Sequence, residues 1–240
     1  MRYFLSYGCN KYTNAKKRIL GEAINSEFFD KCNIYGPNDL SNEFKNEFND
    51  ILQYKKGAGY WIWKFYLIDK YLNETNDGDF IIYCDAGCTI NKKGKERFEE
   101  YIKMLEESDE GILSFDLVHH IENERTIQEL FDYFKIDINH EHALSGQYVG
   151  GILIIKNCNK SKQFINECFN VLKYNKYLIT DMYNENQTIP PFIDARHDQS
   201  IFSLVRKKLG SLVIQEDETY MKNPDGSFND MYPIWASRKM

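Results

Sequence analysis

No apolar run in this 240-residue chain approaches the ~20 residues that a membrane-crossing helix requires, so the sequence offers no candidate span. Acidic residues, 36, outnumber basic ones, 30, and neither sign gathers into a run. The basic face that nucleic-acid binding calls for is therefore lacking, which speaks against such a partner. Six cysteines are present without a Cys-x-x-Cys pair. A chain this long does not depend on disulfide staples, so reduced thiols in a cytoplasmic protein are expected. Cys84 and Cys88 flank Asp85 at a spacing some zinc sites use, but no second pair follows; both suit small buried positions at a strand end. Neither Gly-x-Gly-x-x-Gly nor Gly-x-x-x-x-Gly-Lys-Ser/Thr occurs, which disfavours a dinucleotide enzyme and a P-loop kinase. At the N-terminus only Tyr3-Phe4-Leu5 is apolar before Ser6 and Gly8, so no secretory leader is read, and the chain is expected to be soluble, with work at a membrane surface left open.

What is present points to a packed fold. Hydrophobic residues at 42% and aromatics at 15% supply a core and exclude a disordered chain. Apolar runs at 2–7, 33–35, 80–84, 111–115 and 152–155 read as strands. Helical spacing marks 13–29, 41–55, 60–71, 95–107, 126–134, 160–174 and 201–208. Strands and helices alternate without linker or repeat, which predicts an α/β fold in one domain over 1–240.

Several groups stand where such folds place ligands. The run Phe80-Ile81-Ile82-Tyr83-Cys84 stops at Asp85-Ala86-Gly87, putting a carboxylate at the end of a buried strand. Asp85 there can hold a divalent ion against a diphosphate, and Gly87 allows close backbone approach; a plain strand-to-turn junction has the same appearance. In 57–64, Tyr60 or Trp63 can stack on a base or sugar and Lys64 can meet a phosphate, while a core helix with a snorkelling lysine also explains the pattern. Gln147, Gly150 and Gly151 suit a sugar-facing wall or a tight turn. His197-Asp198-Gln199 precedes a helix, so His197 is open to metal ligation and Asp198 to ligand contact or to capping. The remaining histidines, His119, His120, His140 and His142, sit in Glu/Asn-rich surroundings and read as solvated loops.

Taken in order, Gly-Tyr-Trp-Ile-Trp-Lys at 59–64, Asp-Phe-Ile-Ile-Tyr-Cys-Asp-Ala-Gly-Cys at 79–88, the 147–151 segment and Arg-His-Asp-Gln-Ser-Ile-Phe-Ser at 196–203 resemble GT-A-like glycosyltransferases of bacterial capsule and surface-glycan pathways and of large DNA viruses. The resemblance runs from the first strand to Pro233-Ile234-Trp235-Ala236. It implies a Rossmann-like central mixed sheet flanked by helices, and transfer from a nucleotide-sugar donor, a UDP-sugar favoured, to a glycan, lipid-linked or protein-linked acceptor. It also implies Mn²⁺ or Mg²⁺ on an Asp-x-Asp motif. Asp85 matches the first aspartate of that motif, whereas Gly87 stands in place of the second, so His197 is the expected further metal ligand. The donor site is expected from Ser6, Tyr7, Arg18, Tyr60, Trp63, Lys64, Asp85, Ala86, Gly87, Gln147, Gly150 and Gly151, with Lys64, Arg18 or Arg196 meeting the departing diphosphate. Inverting transfer would use Asp198 as base, with Asp116 behind it; retaining transfer would place Gln199 or Asp198 on the reacting face. A sugar nucleotidyltransferase and a non-catalytic carbohydrate-binding scaffold are the alternatives.

Overall fold

The structure, a computed structural model, describes residues 1–188, 191–223 and 225–239. Of the expected Pro190-Pro191 break, Pro190 lies outside the described residues. The strands are β1 (Arg2–Tyr7), β2 (Lys31–Tyr35), β3 (Phe80–Cys84), β4 (Thr89–Ile90), β5 (Ile112–Ile121), β6 (Gly146–Tyr148), β7 (Ile152–Lys156), β8 (Leu212–Ile214) and β9 (Ile234–Trp235). The main sheet runs β2-β1-β3-β7-β5-β6, with β8 pairing β5, and β4 and β9 form a separate ribbon. β2, β1 and β3 are parallel, β7 is antiparallel to β3, and β5 is antiparallel to β7 and β6. The expected α/β class and central mixed sheet flanked by helices are what the chain forms.

The period of two along the apolar strands builds a core on each face. Tyr3, Leu5, Ile81, Tyr83, Leu153 and Ile155 face one side, with Phe65, Phe164 and Phe202 from the helices Trp63–Glu74, Asn159–Tyr174 and Asp198–Leu209. Phe4, Ile82, Cys84 and Ile154 face the other, against Ile19 of the helix Thr13–Ser26 and Phe98 and Leu105 of the helix Lys95–Glu107. Each fully buried Leu, Ile or Phe contributes roughly 1.5–3 kcal/mol, so these two layers hold the sheet between them.

Three local departures from the expected elements matter for the site. The helix expected over 60–71 begins at Trp63, because Gly57, Ala58, Gly59, Tyr60 and Trp61 all take positive φ. At the three that are not glycine, such a backbone costs on the order of 1 kcal/mol each and persists only where the surroundings fix it. The fixing contacts are visible: Trp63 Nε1 donates to the Gly57 carbonyl at 3.0 Å, and Trp61 packs so close to Gly57 that an added Cβ would lie 2.5 Å from the indole. The helix expected over 41–55 is broken at Phe48 (φ -109°, ψ 24°) into Asn42–Glu47 and Asn49–Leu52. β5 runs on to Ile121, so His119 and His120 lie on a strand and not in a loop.

Candidate active site

The parallel strands β1 and β3 both end, at Tyr7 and Cys84, on the edge where open α/β sheets bind ligands. A cavity of about 900 Å³ opens there. Tyr7, Trp61, Trp63, Asp85, Ala86, Gly87, Gly151 and Gln199 line it. Tyr7 and Trp63 stack with ring centroids 3.9 Å apart and planes at 16°, forming one rigid aromatic wall.

Behind that wall lies a buried charge cluster. Lys64, only 2% exposed, donates to Asp198 Oδ2 at 2.7 Å and to the Gly150 carbonyl at 3.2 Å, and lies 3.1 Å from Asp85 Oδ1. Tyr83 donates its hydroxyl to the same Asp85 oxygen at 2.6 Å. Burial alone would lower the Lys64 pKa, but the two carboxylates outweigh it and hold the ammonium above its usual range. The carboxylates must share that one ammonium. Burial therefore pushes Asp198 up to about 6 against the pull of Lys64, with Asp85 adding to the rise. Gly150 and Gly151 make the assembly possible. A Cβ on Gly150 would stand 2.7 Å from Gln199 Cβ, and one on Gly151 would stand 2.8 Å from Asp85 Oδ2. The glycines are thus required by packing inside the wall.

A second network supports Gln199. Its Oε1 accepts from Gly150 N at 2.9 Å and its Nε2 donates to Gln147 Oε1 at 2.6 Å. Fully buried Gln147 passes the chain on to Glu122 at 2.8 Å, and Glu122 is neutralised by Lys207 at 3.0 Å.

The expected site residues therefore divide. Tyr7, Trp63, Asp85, Ala86, Gly87, Gly151 and Gln199 come together on the cavity, while Lys64, Asp198, Gln147 and Gly150 stand behind it as a scaffold. The ammonium of Lys64 lies against the Asp85 and Asp198 carboxylates, and Asp198, expected to face an acceptor, is 4% exposed and paired with it. Arg18 also stands back: it donates to the Cys88 carbonyl at 2.8 Å and the Ala86 carbonyl at 2.9 Å, fastening the turn after β3. Ser6 is fully buried with its hydroxyl unpartnered, Tyr60 donates to Asp181 at 3.0 Å, and Asp116 is buried with its pKa raised by that burial. None of these lines the cavity.

The expected metal pair does not assemble. His197 is 4% exposed, with Nδ1 at 3.1 Å from the Ile179 carbonyl and Nε2 at 3.5 Å from Asp181. Burial lowers its pKa to about 4, helped by Lys56 and opposed by Asp181. Asp85 has one oxygen committed to Tyr83 and Lys64, and no group of three His, Cys, Asp or Glu able to hold an ion occurs among the described residues. The residues present do not fit Mn²⁺ or Mg²⁺ held on Asp85 and His197.

Of the rim, sequence reading found Arg196, which lines the cavity and lies 3.4 Å from Asp194, and missed the rest. Lys11, Lys55, His120, Asp217, Lys222, Arg238 and Lys239 also line the cavity. Among the described residues, Lys11, Lys55, Lys222, Arg238 and Lys239 make no ion pair. They come from four separate stretches of chain. The one available signal was a surplus of lysine and arginine beside turns, which a solvated surface shows too.

The mixed sheet flanked by helices is a fold shared with a solved glycosyltransferase. The apo form of GlyE, a glycosyltransferase of Streptococcus pneumoniae TIGR4, matches over 98% of this chain and 54% of its own, at 13% identity and a TM-score of 0.50. The chain thus spans about half of GlyE. Mouse xyloside xylosyltransferase 1 matches over 98% and 97% of the two chains at 13% identity, with a TM-score of 0.47. A glycosyltransferase involved in the glycosylation of the major capsid of PBCV-1 matches over 92% and 84% at 12% identity, with a TM-score of 0.45. The likeness to GlyE is one of fold. No family model and no curated protein sequence matches the chain. No helix among the described residues is long and apolar enough to cross a membrane.

Proposed function

We propose that the chain, acting as one domain, transfers a sugar from a nucleotide-sugar donor, a UDP-sugar favoured, to a glycan, lipid-linked or protein-linked acceptor. One observation carries the reading. The cavity at the carboxyl edge sets a rigid Tyr7–Trp63 stack, an immobilised Asp85 carboxylate and five cations without an ion pair among the described residues around a space of about 900 Å³, within the size class of small-molecule sites. Stacked aromatics suit a base or sugar ring, a fixed carboxylate suits sugar hydroxyls, and cations suit a diphosphate.

Departure of a nucleoside diphosphate concentrates negative charge on its bridging oxygen, and cations already placed at the rim stabilise that charge without reorganisation. For inverting transfer, His120 suits the proton acceptor better than buried Asp198 does. It lines the cavity, and burial, then Arg125 and Arg196, lower its pKa, so the ring is unprotonated at neutral pH. For retaining transfer no such base is needed, and Gln199, anchored at both ends of its amide, is the group on the reacting face.

The test is product release from UDP-, GDP-, CMP- and dTDP-sugars incubated with the protein and mixed glycan acceptors. Free nucleoside diphosphate, or free CMP where the donor is a CMP-sugar, released from one donor and abolished by Asp85→Ala, supports the transferase. Pyrophosphate exchange in its place identifies a nucleotidyltransferase. Sugar binding without turnover, retained in Asp85→Ala, identifies a binding scaffold.

A further inference from the structure

The position where an Asp-x-Asp motif would carry its second carboxylate is covered by residues 238–239. A Cβ on Gly87 would stand 3.4 Å from Arg238 Cα and 3.6 Å from the Lys239 carbonyl, so that segment lies in van der Waals contact over the turn. The contact is fastened from several directions. Lys239 N donates to the Gly87 carbonyl at 2.9 Å, Ser237 Oγ donates to the same oxygen at 3.0 Å, and Arg18 donates to the Lys239 carbonyl at 3.3 Å. One step earlier, Trp235 of β9 pairs with Thr89 of β4, and the Thr89 hydroxyl meets Ser237 Oγ at 2.7 Å. Held this way, Arg238 takes a φ of 53°, a conformation that a residue with a side chain keeps only under constraint. The constraint presents Arg238 and Lys239 at the cavity beside Ala86 and Gly87.

The wall next to them cannot supply a metal site, since Asp85 shares one oxygen with Tyr83 and Lys64 and His197 is turned to Ile179 and Asp181. We propose that Arg238 and Lys239, held over the Gly87 turn, neutralise the donor's diphosphate in place of a divalent ion, so that nucleoside diphosphate binding is independent of metal. This rests on the donor-site reading above. An arginine guanidinium matches phosphate oxygens bidentately and a lysine adds a point charge; unlike the buried Lys64, neither is consumed by a protein carboxylate among the described residues.

The test is calorimetric titration of UDP, GDP, CDP and dTDP in EDTA and again with Mn²⁺, on the parent, on the Arg238→Ala/Lys239→Ala double variant and on Arg238→Lys. Binding of one nucleotide in EDTA, unchanged by Mn²⁺, is expected. The double variant should weaken it about tenfold or more, the value of a charge-assisted hydrogen bond, at an unchanged ligand-free melting temperature, and Arg238→Lys should recover part of the loss. Binding that appears only with Mn²⁺ overturns the inference while leaving the transferase reading intact. Binding in EDTA that the double variant retains in full overturns the assignment to the tail. Absence of binding under both conditions overturns the donor-site reading itself.

Discussion

The inner wall and the outer rim of the cavity solve opposite electrostatic problems. In the wall, Lys64 meets Asp198 and Asp85, Tyr83 meets Asp85, Gln199 meets Gly150 and Gln147, and Lys207 meets Glu122, so each buried charge has a partner inside the protein. At the rim, five cations stand without one among the described residues. Partnered buried charges fix geometry, because breaking such a pair strands the survivor in low dielectric. Unpartnered exposed cations cost little and remain available to an anion. The wall therefore positions Asp85, and the rim receives what carries negative charge.

The largest break in that comparison is Lys64→Met. Removing the shared ammonium leaves Asp198 buried and unpaired, and a loss of about 3–5 kcal/mol is expected in urea unfolding. A loss below about 1 kcal/mol would mean that the wall is not held by its charges. Gly150→Ala comes next. Its Cβ would press on Gln199 Cα at 2.9 Å, where backbone cannot give way, and overpacking of this kind costs about 1–3 kcal/mol.

The acid side of the stability curve sharpens the wall further, because two neighbours pull in opposite directions. His197, lowered from 6.5 to about 4, contributes stability that is present above 6.5 and lost as pH falls towards 4. Asp198, raised from 3.8 to about 6, contributes stability that is present below 3.8 and lost as pH climbs through 6. Melting curves from pH 4 to 7 should therefore fall off less on acidification in His197→Gln. In Asp198→Asn they should decline less as pH rises from 4 to 6. The same direction of change in both variants would contradict the assignment. The smallest effect on stability belongs to the rim: Lys55→Ala should leave the melting temperature unchanged and weaken anion binding a few-fold, measured by nucleotide titration.

Much of this layout is legible in the residues themselves. The unbroken apolar run ending at Asp85 identifies both the central strand and its ligand-facing end, since a strand buried on two faces admits no polar residue until it stops. The long amphipathic helices follow from spacing in the same way. Lys64 shows the limit. It stands among aromatics at 60–65, and nothing local says that its partner Asp198 lies 134 residues away or that both are buried. The glycines at 150 and 151 read as room for a ligand because the sequence does not reveal that Gln199 and Asp85 already fill that room. The left-handed turn at 57–61 is hidden because Ala58, Tyr60 and Trp61 have no intrinsic preference for it, and the contacts of Trp61 and Trp63 with Gly57 impose it. Most of the rim is hidden for a similar reason: Arg238 and Lys239 come to the cavity through β4–β9 pairing and the contacts of residues 237–239 with the Gly87 turn.

The division between wall and rim is tested most directly by the thermal shift that each nucleoside diphosphate and its parent nucleoside produce as salt is raised. Stabilisation by one diphosphate that shrinks steeply with salt, beside a smaller nucleoside shift that salt leaves unchanged, is the predicted result, since screening weakens contacts with exposed cations and spares stacking. Equal shifts from the two ligands, or a diphosphate shift indifferent to salt, would contradict it.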